Sequence, residues 1–105
     1  MATNPTNLII MASLFPIEEC DMDRLYEIEQ AAHLVPWSLG TLKNNVGKRY
    51  LNLKLVEKEQ VQGFAICQMV LDEATLFNIA IDPAQQGKGY GSFLLQGLMD
   101  KLKEK

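Results

Sequence analysis

One histidine, His33, is all that this chain of 105 residues carries. A His-rich metal site is thereby excluded, no metal is expected, and a His-dependent catalytic triad is disfavoured. His33 itself is read as a solvated or structural residue. Cysteine is scarce too: Cys20 and Cys67 are the two present, too few for a disulfide framework. Cys67 lies in an apolar run and is read as a buried thiol. Positive charge is not in surplus. Ten Lys and Arg against 13 Asp and Glu leave a net charge of −3 and a pI near 5.0, with no basic stripe for nucleic acid. Lys101, Lys103 and Lys105 cluster at the end and read as a solvated helix face. No apolar run approaches membrane-spanning length. Leu8 to Leu14 is apolar, but no Lys or Arg precedes it, so it lacks the basic start of a signal peptide. A cytoplasmic protein with neither nucleic acid nor membrane as a direct partner is expected.

What the chain does have is apolar content, 48% of its residues, enough for one small globular domain. Residues 1–12 read as a flexible leader and 13–105 as the domain. A first strand falls within Ser13 to Ile17, where Pro16 suits a strand end or edge. Asp21 is the expected N-cap of a first helix, with Asp23 in its first turn. Met22, Leu25, Ile28 and Ala32 carry that helix at 3.6-residue spacing to about His33, before Pro36. Ser38 caps a short second helix through about Asn45, and Trp37 anchors the loop between the two, a place lining a substrate groove being the other role open to it. Gly47 ends the second helix. Leu51, Leu53 and Leu55 alternate with Asn52 and Lys54 in a strand from Tyr50 to Val56. A turn at Lys58-Glu59-Gln60 leads to a more buried strand, Gly63 to Leu71. Asp72-Glu73 turns the chain again into Thr75 to Ile81, the third member of an antiparallel run.

The stretch from Asn78 to Ser92 organises the rest. Leu76 to Ile81 is apolar apart from Asn78. Pro83 ends the strand, because it offers no N–H to a ladder. Gly87, Gly89 and Gly91 then let the backbone turn tightly beside a bulky ligand, and Leu94, Leu95, Leu98, Met99 and Leu102 mark a helix. A glycine loop at a helix start aims unpaired N–H groups and a positive dipole end outward, which suits phosphate. Between Asp82 and Asp100 the single charged side chain is Lys88, so no carboxylate opposes an anion there. The Walker pattern is not met, since Gly91 is not followed by Lys. The dinucleotide pattern fails at its third glycine, where Ser92 stands. A plain strand-to-helix turn is the alternative reading.

What fits is Q-x-x-G-x-G, at Gln86 to Gly91, directly after a strand. This resembles the pyrophosphate loop of the GNAT superfamily of acetyl-CoA-dependent N-acetyltransferases. The order β-α-α-β-β-β-α, an α/β (α+β, mixed-sheet) class, is similar to the first half of that fold. Ile28-Glu29-Gln30, Pro36-Trp37-Ser38, Arg49 to Asn52 and Leu71 to Ala80 further resemble the bacterial ribosomal-protein-alanine N-acetyltransferases, from about Ser13 to the last residue.

The resemblance implies acetyl-CoA as cosubstrate and the N-terminal amine of a ribosomal protein as acceptor. Backbone groups of Ile79, Ala80 and Ile81 would pair with the pantetheine arm, and a strand N–H there would polarise the acetyl carbonyl. Gln86 and the backbone of Gly87, Lys88, Gly89, Tyr90, Gly91 and Ser92 would hold the pyrophosphate. It also implies a glutamate base on the strand after Lys105 and a tyrosine acid on a later helix, so no catalytic residue is assigned within this chain. Asp72 and Glu73 sit at a turn and are read as solvated. A strand edge left unpaired along Thr75 to Ile81 would favour self-association, as a homodimer or by borrowing a partner's edge. Two other functions stay open: a non-catalytic module that binds CoA or a partner, and an acetyltransferase acting on a small-molecule amine.

Overall fold

The computed structural model describes residues 12–47 and 50–104. The leader reading therefore lies outside the described residues, except for Ala12. That residue opens β1, Ala12–Pro16. Two helices follow, α1 at Met22–Ala32 and α2 at Leu39–Asn44. Three strands come next, β2 at Tyr50–Glu57, β3 at Gln60–Val70 and β4 at Glu73–Ile81. The chain then makes a 3-10 turn at Pro83–Gln85 and enters α3, Tyr90–Lys103. The expected order β-α-α-β-β-β-α is met.

The sheet runs β1-β2-β3-β4 with every described pairing antiparallel. Strand alternation sorts β3 between two cores. Phe64 and Ile66 pack with Met22, Leu25 and Ile28 of α1 and Leu42 of α2. Ala65 and Cys67 pack with Leu53 and Leu55 of β2 and Leu94 and Leu98 of α3. The sheet is thus covered on both faces, α1 and α2 on one side and α3 on the other. Ala80 and Ile81 divide in the same way, which aims β4 between the layers.

Covering both faces changes how β2 is read. Asn52 and Lys54 face away from the leucine stripe as expected, yet Lys54 is buried, at 8% exposure. Its ammonium donates to Asp21 Oδ2 at 2.7 Å and to Glu18 Oε2 at 3.3 Å. Burial works to lower the Lys54 pKa, but Asp21 and Glu18 outweigh it and hold it above the ordinary value. A buried cation is tolerable only when paired in this way.

Asp21 is correspondingly not the side-chain cap that its position suggested. It directly precedes α1, but a 3-10 turn at Glu19–Asp21 already winds the backbone there, with φ −85° and ψ −12°. Its carboxylate turns back to the Glu18 N–H at 2.7 Å and to Lys54. Ser38 does cap α2, accepting from the Thr41 N–H at 3.1 Å. The α3 stripe is narrower than its five apolar residues implied. Leu94 and Leu98 are buried, whereas Leu95 and Met99 stand half-exposed.

Candidate active site

The site begins with a bulge. In the β3–β4 ladder Cys67 faces Leu76 and Ile66 faces Asn78, which leaves Phe77 as an extra residue. A bulge bends its strand and increases the local twist. It falls just before Ile79-Ala80-Ile81, at the sheet edge, so β4 has one side unpaired among the described residues.

Asp82 anchors the entry to the glycine loop. Its N–H donates to the Gln62 carbonyl at 2.8 Å, and its Oδ1 accepts from the Ala84 N–H at 3.0 Å. Arg24 of α1 clamps the same carboxylate, Nη2 to Oδ2 at 2.7 Å, and donates through Nε to the Val61 carbonyl at 2.8 Å. The Ala84 N–H and the Arg24 guanidinium hold the Asp82 carboxyl below the usual range, against the smaller opposing effect of burial. The backbone is therefore tied down before the first glycine.

Gly87 and Gly89 take φ of 85° and 83°, the left-handed region that other residues enter at a cost. Gly89 is the residue before α3. The first amide to find a carbonyl inside the helix is Phe93, bonded to Gly89 at 3.0 Å. The N–H groups of Tyr90, Gly91 and Ser92 lie in the turn that an α-helix cannot satisfy from within. No acidic residue stands in that turn, which favours an anion at the helix start, and Lys101 and Lys103 in the last turn complement the negative end of the helix dipole.

Strand, loop and helix border an open cleft of about 550 Å³, a size typical of small-molecule sites. Ile79, Ala80, Ile81, Gln86, Gly87, Gly89, Tyr90, Gly91 and Ser92 all line it. Lys88 does not, because its ammonium is drawn to Gln85 Oε1 at 2.7 Å. None of the lining residues is acidic. A Cβ at Gly87 or at Gly91 would meet nothing within 4 Å, so the loop presents open backbone to whatever enters. Tyr90 contributes backbone and ring only. Burial and a hydrogen bond to Glu57 push its phenol up to about 12.

Ala32, His33, Gln85 and Leu95 also line the cavity and were not singled out by the motif. One signal pointed toward His33: Asn78, the lone polar residue in an apolar strand, needs partners once buried. It finds Glu29 Oε1 at 2.9 Å and His33 Nε2 at 3.1 Å. His33, expected to be solvated or structural, is partly exposed, and it also borders the cavity. Asp72 and Glu73 are exposed at the β3–β4 turn, as expected.

The profile of the Acetyltransferase (GNAT) family matches residues 11–105. The chain belongs to that family. Among its relatives, the [Ribosomal protein bS18]-alanine N-acetyltransferase of Haemophilus influenzae is 68% identical over 95 residues, which cover 90% of this chain and 65% of that protein. The crystal structure of the ribosomal-protein-S18-alanine N-acetyltransferase from Escherichia coli superposes with a TM-score of 0.87 at 48% identity, covering 90% of this chain and 61% of that one. The paia N-acetyltransferase from Thermoplasma acidophilum, in complex with coenzyme A, shares the fold at 15% identity and a TM-score of 0.79, covering 90% of this chain and 74% of that one. This chain thus spans less than two thirds of the length of the first two relatives.

Proposed function

We propose that this chain is part of an acetyl-CoA-dependent N-acetyltransferase whose acceptor is a protein N-terminal amine, the N-terminal alanine of a small-subunit ribosomal protein. The observation that carries the reading is the cavity formed by β4, the glycine loop and the start of α3, in a chain 68% identical to an enzyme named for that acceptor.

In this reading the pyrophosphate lies against the backbone from Gly87 to Ser92, where helix N–H groups and the dipole favour its charge. The amide-bearing arm runs along Ile79-Ala80-Ile81 as an added strand on the free edge of β4. A strand N–H near Ile79 polarises the acetyl carbonyl and stabilises the oxyanion formed on attack. Gln86 donates its side-chain amide to the Ile81 carbonyl at 3.3 Å, and so ties the loop to the strand that holds the arm. An N-terminal amine has a pKa of about 8 and is largely protonated below it, so transfer needs a proton acceptor.

The expected setting is the cytoplasm. The unpaired edge of β4 is also where a second copy would add, and sedimentation over a concentration series reads that dimer directly. For the activity, transfer of radiolabelled acetyl from acetyl-CoA to a peptide beginning with alanine is expected, with little transfer to free polyamines. Turnover confined to small amines would assign the chain to a different acceptor class. Coenzyme binding without turnover, at high pH as well, would make it a binding module.

A further inference from the structure

We propose that Glu29 is a positioning residue for the acceptor: it fixes the α1–α2 loop against β4 and so shapes the seat of the incoming amine. The role rests on the transfer reaction proposed above and deepens it. Glu29 is assigned no contact with substrate and no proton transfer.

Burial sets Glu29 apart. It is 1% exposed, and among the described residues no Lys or Arg pairs with it. A buried carboxylate is tolerated when donors meet its oxygens, and here the donors come from two separate parts of the chain. Oε2 accepts from the Trp37 N–H at 2.8 Å. Oε1 accepts from Asn78 Nδ2 at 2.9 Å. One oxygen therefore holds the loop after α1, and the other holds β4 directly before Ile79. Asn78 is fixed at its other end as well, where Oδ1 lies 3.1 Å from His33 Nε2.

Packing does not hold the start of the loop, because Leu34 and Val35 are almost fully exposed. Trp37 packs partly against the core formed by α1, α2 and the sheet, and its N–H ties that packing to Glu29.

The parts tied together wall an open cleft of about 270 Å³, bordered by Leu34, Val35 and Trp37 from the loop and by Phe77 and Asn78 from β4. His33 lines both this cleft and the larger one at Ile79 and the glycine loop, so the two adjoin. An amine placed in the smaller cleft stands beside Ile79, where the acetyl carbonyl is polarised in the reading above. The span from loop to strand defines that seat, and the Glu29 carboxylate bridges it. Untied, the loop samples other positions, and an acceptor binds only the fraction that keeps the seat. Acceptor affinity suffers first, and the chemical step, once the amine is seated, is altered less.

Glu29→Gln keeps the shape and removes one acceptor. An amide offers one oxygen and one NH₂ group, so it can accept from Trp37 or from Asn78 but not from both. Glu29→Gln combined with Asn78→Asp restores both links, since the new amide donates to the new carboxylate and still accepts from Trp37.

Trp37 is the single tryptophan and reports the loop by fluorescence. Glu29→Gln should increase acrylamide quenching of that fluorescence. For a peptide beginning with alanine it should raise KM by about tenfold, with the KM for acetyl-CoA unchanged and kcat altered less. The double variant should return quenching and peptide KM toward those of the unaltered chain. All three are compared below their thermal transitions, and a loss of stability alone would not raise one KM and spare the other. Unchanged quenching in Glu29→Gln, or a peptide KM that stays constant or rises only in step with that for acetyl-CoA, overturns this role and leaves the functional reading standing. If the unaltered chain transfers no acetyl group to the peptide, that reading fails and the role of Glu29 falls with it.

Discussion

Arg24 on α1 and Asp82 at the end of β4 stand 58 residues apart in the chain and 2.7 Å apart in space. The pair couples the first helix to the point where the sheet gives way to the glycine loop. Both side chains are less than a third exposed, at 29% and 23%, so solvent screens the pair incompletely. Asp82→Asn should cost about 1–2 kcal/mol at neutral pH by urea unfolding.

The same pair has a pH signature. The Asp82 pKa is depressed in the fold below its ordinary 3.8, so the unfolded chain binds that proton more readily. Its contribution is full above about pH 5 and is lost as pH falls through 3.8 and below. The stability gap between the unaltered chain and Asp82→Asn should therefore hold steady down to about pH 5 and narrow as pH falls from there to about pH 3. A gap constant across that range would show that the ion pair contributes nothing.

Gly63 is the glycine whose replacement should disturb the site from behind. A Cβ there would lie 2.5 Å from Ile81 Cδ1 and 2.9 Å from the Ala80 carbonyl oxygen. The side chain can rotate away, but the backbone oxygen cannot. Gly63→Ala should destabilise by about 1–3 kcal/mol and weaken acetyl-CoA binding as well, because Ala80 and Ile81 must shift. Equal stability in thermal melts would show that β3 and β4 are more loosely apposed than described.

The two thiols should separate cleanly. Cys20 is exposed and Cys67 is buried. Burial pushes the Cys67 thiol up, with a backbone hydrogen bond from Thr75 opposing it, and a thiol kept from its thiolate is a poor nucleophile. Native chain should react with one equivalent of a thiol-disulfide reagent, through Cys20. Complete unfolding should release the second. Two rapid equivalents would contradict the packing of β3.

Much of the fold could be read from residues with strong local chemistry. Pro83, the glycines and the α3 stripe placed the site, because each acts within a few residues of itself. The burial of Lys54 and Glu29 could not be read in that way. Alternation along β2 put Lys54 opposite the leucines, but only α1 and α2 covering the second face made that position interior. Asp21 looked like a cap from its place before an apolar-periodic run, while its actual partners, Lys54 and the Glu18 N–H, come from tertiary structure and from a 3-10 turn. His33 was read as solvated or structural. That it borders the cavity depends on how α1 ends beside Asn78, a contact 45 residues away in the chain.

Calorimetric titration of acetyl-CoA into this chain, beside Gly89→Glu, decides whether the glycine loop cradles phosphate. Gly89 sits at φ 83° at the start of α3. A glutamate there strains the backbone and sets a negative charge where the pyrophosphate would lie. Lys88→Glu, on an exposed side chain outside the cavity lining, adds the charge without the strain. The expected result is binding to the unaltered chain, loss of at least about tenfold in affinity in Gly89→Glu, and a smaller loss in Lys88→Glu, with thermal melts showing all three folded. Equal binding by all three, or none by the unaltered chain, would contradict a phosphate cradle at the glycine loop.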